Sequence, residues 1–298
     1  MMMPSPVPER SDGAPVARRG RKPEPIADDV GHAHRAWLES VRARLKASGL
    51  TLDELVTLTG FSKTRISELL RGNGYYPGWE ITFSIIKALE IPAWPMRRLW
   101  AAAAQEANKQ QAWIERSIDR VLPIERERQP MAHQAFVQLM AAPYTAYARA
   151  FLLTDQRAQW VVAETFDILW LCWNEAATSE NVPRFGWLLL RSRVLARAHR
   201  HPEGHVDLRA AALSAQTQQE STDLAERLAN IDELVPLFDA IGRLPRDQQD
   251  ITVLRYLCGI DVDAVPDVVG LTPAAARAID GHARAALADI YRRRQTRE

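Results

Sequence analysis

From Gly31 almost to the C-terminus, apolar residues return every three or four positions. That is the spacing of one buried face on an α-helix, and no run alternates apolar and polar residues between hairpin turns as a strand would. The pattern predicts an all-α chain. Two interruptions divide it. LPIERERQP, Leu122 to Pro130, sets two prolines around alternating charges, and HPEGHVDL, His201 to Leu208, opens a polar stretch containing SAQTQQEST. Residues 1–30, rich in Pro, Gly, Ala and charge, show no hydrophobic period and are expected to form a disordered tail. The expected layout is that tail, a domain at 31–121, a linker at 122–130, a domain at 131–206, a linker at 207–230 and a domain at 231–298.

The sharpest local pattern is TLDELVTLTGFSKTRISELLRG, Thr51 to Gly72. Thr51 and Glu54 form a Thr-x-x-Glu capping box, which satisfies orphan amides at a helix start. Gly60 permits a tight turn, Ser62 is a fitting N-cap, and Arg71 with Gly72 closes the next helix with a basic last turn and a C-terminal glycine. The predicted unit is helix, turn, helix. In the second helix Ile66, Leu69 and Leu70 supply the buried stripe, which leaves Lys63, Thr64, Ser67 and Glu68 outside. Such side chains at a helix N-terminus are the kind that enter a major groove, while Arg65, Arg71 and Asn73 are placed to reach phosphate. The competing reading is an ordinary helical hairpin with a solvated polar face.

This stretch, preceded by RAWLESVRARLKAS and followed by WEITFSIIKALEI, resembles the Cro/C1 (XRE-type) helix-turn-helix domains over about 60 residues. The resemblance implies a five-helix DNA-binding domain and double-stranded DNA as partner. It places Lys63, Thr64 and Glu68 on positions the family uses for bases, and Asn73 near its phosphate-contacting loop. The DNA-binding set expected from pattern and resemblance together is Ser62, Lys63, Thr64, Arg65, Ser67, Glu68, Arg71 and Asn73.

Residues 131–200 read as three helices, with Asp155 as the expected cap of the second. The third, PRFGWLLLRSRVLARAHRH, carries Arg184, Arg191, Arg193, Arg197 and Arg200 with no acidic residue from Asn181 to Pro202. Further on, LPRDQQDITVLRYLCGI predicts a helix and a turn at Cys258–Gly259, and DVDAVPDVVGLTPAAARAIDGHARAAL predicts two more helices. Asp263 is the expected cap of the first of these; Thr272 caps the second, with Pro273 at its favoured first position.

The order resembles the extracytoplasmic-function sigma factors, which join a three-helix region 2 to a region 4 helix-turn-helix through a flexible link. AETFDILW and Trp187–Leu188 carry the region 2 likeness. The Leu-Pro start, LRYLCG, Gly270, Ala283 and Leu287 carry that of region 4. The likeness implies promoter recognition together with RNA polymerase core. Departures accompany it: Trp160 stands where the family usually has an acidic residue, Ala163 replaces a Gln, and Val194 and Ala198 stand where Asn and Asp are usual. They fall near the surfaces the family uses for polymerase clamp binding and strand opening, and weigh against an active initiating sigma factor.

Charge refines this picture. The chain carries 38 Lys and Arg against 37 Asp and Glu, so no global field marks a polyanionic partner. Residues 31–106 hold ten basic and seven acidic residues, a difference of +3; residues 246–298 hold eight of each. On the last helix Ala274, Ala275, Arg277, Ala278, Asp280 and Gly281 are left to face DNA, and alanine reads no donor or acceptor. Arg277 and Arg284 there, and Arg191, Arg193 and Arg197 in the middle domain, are the candidate phosphate or polymerase contacts, against the alternative of solvated faces. In the tail, ARRGRKPEP reads first as a flexible basic cluster and second as a minor-groove arm.

Other chemistry finds little support. His199, His201 and His205 have a metal-compatible spacing but no nearby cysteine, so a solvated basic loop is expected and no metal or cofactor is assigned. Trp160, Trp170, Trp173 and Trp187 lie at helical spacing among aliphatic residues and read as core. Cys172 and Cys258 read as buried free thiols. No phosphate loop, nucleophile elbow or zincin motif occurs, so an enzyme is not expected. With no leader pattern and no 18-residue apolar window, the expectation is a cytoplasmic bacterial transcription regulator without membrane contact. It would bind a specific DNA site, and its sigma-like modules would contact RNA polymerase or promoter DNA. The alternative is a repressor or scaffold whose sigma-like half serves only for dimerisation, as a homodimer, or for partner binding.

Overall fold

The computed structural model describes residues 24–121, 127–208 and 235–295. The expected tail up to residue 23, including most of ARRGRKPEP, lies outside these residues, as do 122–126 of the first linker and 209–234 of the second. Among the described residues the chain is all-α, with one isolated antiparallel bridge between Arg200 and Val206.

The first six helices are α1 (His32–Ser48), α2 (Leu52–Thr59), α3 (Lys63–Arg71), α4 (Trp79–Ala88), α5 (Ala93–Glu106) and α6 (Gln111–Asp119). They close around one apolar core in which Trp37, Leu55, Ile66, Trp79, Met96 and Trp100 are fully buried. Two hydrogen bonds tie this core together: Tyr76 donates its hydroxyl to the Trp100 carbonyl at 2.6 Å, and Trp100 Nε1 donates to the Pro77 carbonyl at 3.0 Å.

The next helices are α7 (Met131–Phe151), α8 (Asp155–Leu171), α9 (Trp173–Thr178) and α10 (Val182–Arg197). Beyond residue 234 come α11 (residues 235–242), α12 (Arg246–Thr252), a π-helical turn at Val253–Leu257, α13 (Val265–Val269) and α14 (Pro273–Gln295). Both segments contribute to a second core. Phe151, Leu169, Trp187 and Leu190 from the first meet Phe238, Leu254, Val269 and Ala283 from the second.

Helix α8 lies between the two cores. Its sequence is apolar around most of its circumference, which marks a helix buried on more than one side. Ile168 joins the first core, while Val161, Phe166 and Leu169 join the second. Its buried acids are paired: Asp167 accepts from Arg98 Nε at 2.9 Å, and Glu164 accepts from Arg197 at 2.7 Å.

The turn between α13 and α14 closes against the start of α10. Gly270 has φ +64°, and a Cβ there would collide with the Arg184 backbone, so both torsion and space require glycine. Asn181 Nδ2 donates to the Gly270 carbonyl at 3.2 Å, and the Arg184 guanidinium donates to that of Val269 at 3.4 Å.

Two expected caps are corrected. Thr154, not Asp155, caps α8, accepting from Arg157 N at 3.2 Å; Asp155 lies in the first turn, where it pairs with Arg149 at 2.9 Å. Asp263 does not cap α13. That helix begins two residues later, and the Asp261 carboxylate accepts from Asp263 N at 2.8 Å in a turn that brings Pro266 into the first helical turn. Thr272 does cap α14, accepting from Ala275 N at 3.2 Å.

Candidate nucleic-acid interface

Local chemistry sets α2 and α3. The Thr51 hydroxyl accepts from Glu54 N at 3.3 Å and the Glu54 carboxylate accepts from Thr51 N at 2.7 Å, so the capping box is closed in both directions. Those bonds hold the Glu54 carboxyl below its ordinary range. Gly60 ends α2 in the left-handed region, and Ser62 Oγ starts α3 by accepting from Arg65 N at 3.4 Å.

Helix α3 buries Ile66, Leu69 and Leu70 against the core. This fixes its rotation and leaves Ser62, Lys63, Thr64, Arg65 and Glu68 exposed, with Ser67 partly so. Lys63 forms an ion pair with Asp53 at 2.8 Å, its side chain 58% and the aspartate's 76% exposed. A surface pair of that kind holds its members weakly and releases them to a stronger partner. Arg65 sits over the Phe61 ring at 5.8 Å.

Arg71 is differently placed. It pairs with Glu24 at 2.6 Å and donates to the Ser67 carbonyl, so contact with phosphate requires that it leave Glu24. Asn73 is exposed just beyond α3, its N–H donating to the Glu68 carbonyl at 3.1 Å. Beside it stands Tyr75, 95% exposed between a left-handed Gly74 and the buried Tyr76. Sequence reasoning missed Tyr75. Its signal lay in NGYYPG, two adjacent tyrosines between glycines, of which Tyr76 is buried and Tyr75 is exposed.

The arginines of α10 stand otherwise than expected. Arg191 is buried against Asp250 at 2.5 Å, and Asp250 also accepts from Tyr147 Oη at 2.7 Å, so Arg191 faces the second core and not phosphate. Burial holds the Asp250 carboxyl above its ordinary range, against the opposing pull of Arg191. Arg193 reaches across to Glu39 of α1 at 2.9 Å, and Arg197 is held by Glu164, with side-chain exposures of only 17% and 12%. The physical reason is shared: α10 lies between two helical layers, and its charges are neutralised by acids from distant parts of the chain.

In α14 the expected outward Asp280 is buried. It accepts from Arg255 and from Tyr256 Oη, which the π-helical turn presents, and Arg284 lies 3.2 Å away. Arg277 and Arg284 keep side-chain exposures of 68% and 64%, and Ala274 and Ala278 are exposed. Of the four tryptophans, Trp170, Trp173 and Trp187 are core, whereas Trp160 is 61% exposed. Cys172 and Cys258 are free thiols, and burial pushes each up to about 12. No described helix is long and apolar enough to cross a membrane.

No family model, curated protein or solved structure matches this chain.

Proposed function

We propose that the chain is a sequence-specific DNA-binding transcription regulator in which α2 and α3 form a Cro/C1-like reader. One observation carries the reading: α3 is capped and core-anchored, yet its N-terminal face from Ser62 to Arg65 is polar and exposed. A helix held that rigidly on one side and left hydrogen-bonding on the other suits a major groove. Arg65 and Asn73 flank the face as phosphate contacts, with Arg71 available once Glu24 yields. The +3 difference of residues 31–106 adds a modest electrostatic attraction.

In this reading residues 131–298 are diverged sigma region 2-like and region 4-like modules that contact RNA polymerase core or promoter DNA. The second reading makes that half a scaffold for dimerisation or for a protein partner. A specific observation favours it: the two modules share one core and are joined by the buried Arg191–Asp250–Tyr147 cluster, which occupies a charge the first reading needs outside.

Selection of bound sites from random duplex DNA by the full chain tests the shared claim. A discrete enriched site supports it, and no enrichment contradicts it. Incubation of the full chain with RNA polymerase core then separates the readings: a stable complex favours the first, and a dimer that ignores the polymerase favours the second.

A further inference from the structure

The polar break after α10 folds into a tight hairpin. Asp207 N donates to the His199 carbonyl at 2.9 Å, His201 N to that of His205 at 2.9 Å, and Gly204 N to that of His201 at 2.8 Å, around a left-handed Gly204. This backbone lock brings His201 and His205 face to face, their ring centroids 4.7 Å apart. Glu203, at the tip, completes a group whose ligand-capable atoms all lie within 4.8 Å of one another. His199, the third histidine of the sequence motif, is exposed and outside this group.

The opposite wall is α11. A Cβ on Gly242 would collide with the Val206 carbonyl, so the hairpin seats directly on that helix. Asp239 of α11 holds His205 Nε2 at 2.7 Å, and Arg243 braces both Asp239 at 3.0 Å and Glu203 at 2.8 Å. An aspartate on one imidazole nitrogen fixes the ring and leaves the other nitrogen to ligate, the usual support behind a metal-bound histidine. His201 Nδ1 is buried with no hydrogen-bond partner among the described residues, a state that a bound cation would relieve. A cavity of about 230 Å³, lined among others by Asp207, Leu208 and Phe238, adjoins the group.

We propose that His201, Glu203 and His205 bind a divalent transition-metal ion of the zinc type, with Asp239 as the positioning residue for His205. Two imidazoles and one carboxylate suit a borderline cation and not the all-oxygen preference of Ca²⁺ or Mg²⁺. Ligand atoms around a tetrahedral zinc ion stand about 3.3 Å apart, so on binding the group closes by up to about 1.5 Å and the stacked rings of His201 and His205 turn their edges toward the ion. Arg243 binds one Glu203 oxygen and leaves the other to the metal. The ion would lock the hairpin itself, which Asp239 and Arg243 hold against α11. This site does not depend on the DNA-binding reading.

The test uses the full chain stripped with a chelator and titrated with Zn²⁺ against a zinc-responsive chromophore, with Co²⁺ absorption as a spectroscopic report of the ligand field. The expected result is one ion per chain and a thermal midpoint that rises with Zn²⁺. His201→Ala with His205→Ala abolishes both, and Asp239→Asn weakens binding about 10–100-fold. His199→Ala leaves binding unchanged. Glu203→Gln, at a side chain 58% exposed, keeps the fold and weakens binding, which secures the test if the histidine variants unfold. No stoichiometric Zn²⁺, or Zn²⁺ bound equally by the Glu203→Gln and Asp239→Asn variants, overturns the proposal.

Discussion

At the scale of single residues, Lys63 and Thr64 carry the functional claim. Each is exposed at the start of a helix whose rotation is fixed by three buried aliphatic residues. Lys63→Ala and Thr64→Ala are each predicted to cost about 1–3 kcal/mol on the preferred site and to relax preference at one or two base pairs. Titration on specific and unrelated duplexes checks this; equal losses on both would reduce these residues to phosphate contacts. His34 offers an independent prediction. It is buried between Trp37 and Tyr76, and burial pushes its imidazolium down to about 4 from the ordinary 6.5. Because the folded value is the lower one, the neutral ring's contribution is full above pH 6.5 and is lost as pH falls through about 4. Urea midpoints of wild type and His34→Phe should therefore diverge progressively on acidification over that window, with the wild type losing more. Parallel curves would contradict the assignment, and the buried carboxylates, common to both proteins, cancel in the difference.

At the scale of elements, α10 depends on acids from elsewhere in the chain. Arg191→Met leaves the buried Asp250 carboxyl without its cation, which is predicted to cost about 3–5 kcal/mol. Adding Asp250→Asn removes the ionisable group while keeping an acceptor for Tyr147, and should recover a large part of that loss. Additive losses in urea unfolding would mean that the two groups do not act as a pair. These contrasts also separate what the sequence made legible from what it did not. The capping box at Thr51 and Glu54, the Ser62 and Thr272 caps and the buried stripe of α3 involve residues within four positions of each other, so their chemistry could be read along the chain. The partners of Arg191, Arg193 and Arg197 are Asp250, Glu39 and Glu164, which only the tertiary fold brings near. Asp280 misled for the same reason, since its partners Arg255 and Tyr256 come from a π-helical turn that no periodicity signals. The histidine group likewise needed the hairpin, which substitutes Glu203 for the His199 of the linear motif.

At the scale of the whole molecule, the two cores meet through α8, and residues 131–208 and 235–295 share the second core. The exposed N-terminal face of α3 presents hydrogen-bonding side chains, whereas α14 presents alanines and the exposed Arg277 and Arg284, which the proposed reading assigns to phosphate. Arg277→Gln with Arg284→Gln is therefore predicted to weaken DNA binding at low salt by a similar factor on every sequence, with a loss that shrinks as salt rises, because released counterions drive it. A loss confined to one sequence would assign readout to α14. The central claim, that specificity resides in α3, is tested most directly by selecting sites from random duplex DNA with the full chain and with its Lys63→Ala, Thr64→Ala variant. The account predicts a discrete site for the wild type and relaxed identity at one or two adjacent positions of that same site for the variant. An identical site selected by both proteins would contradict it.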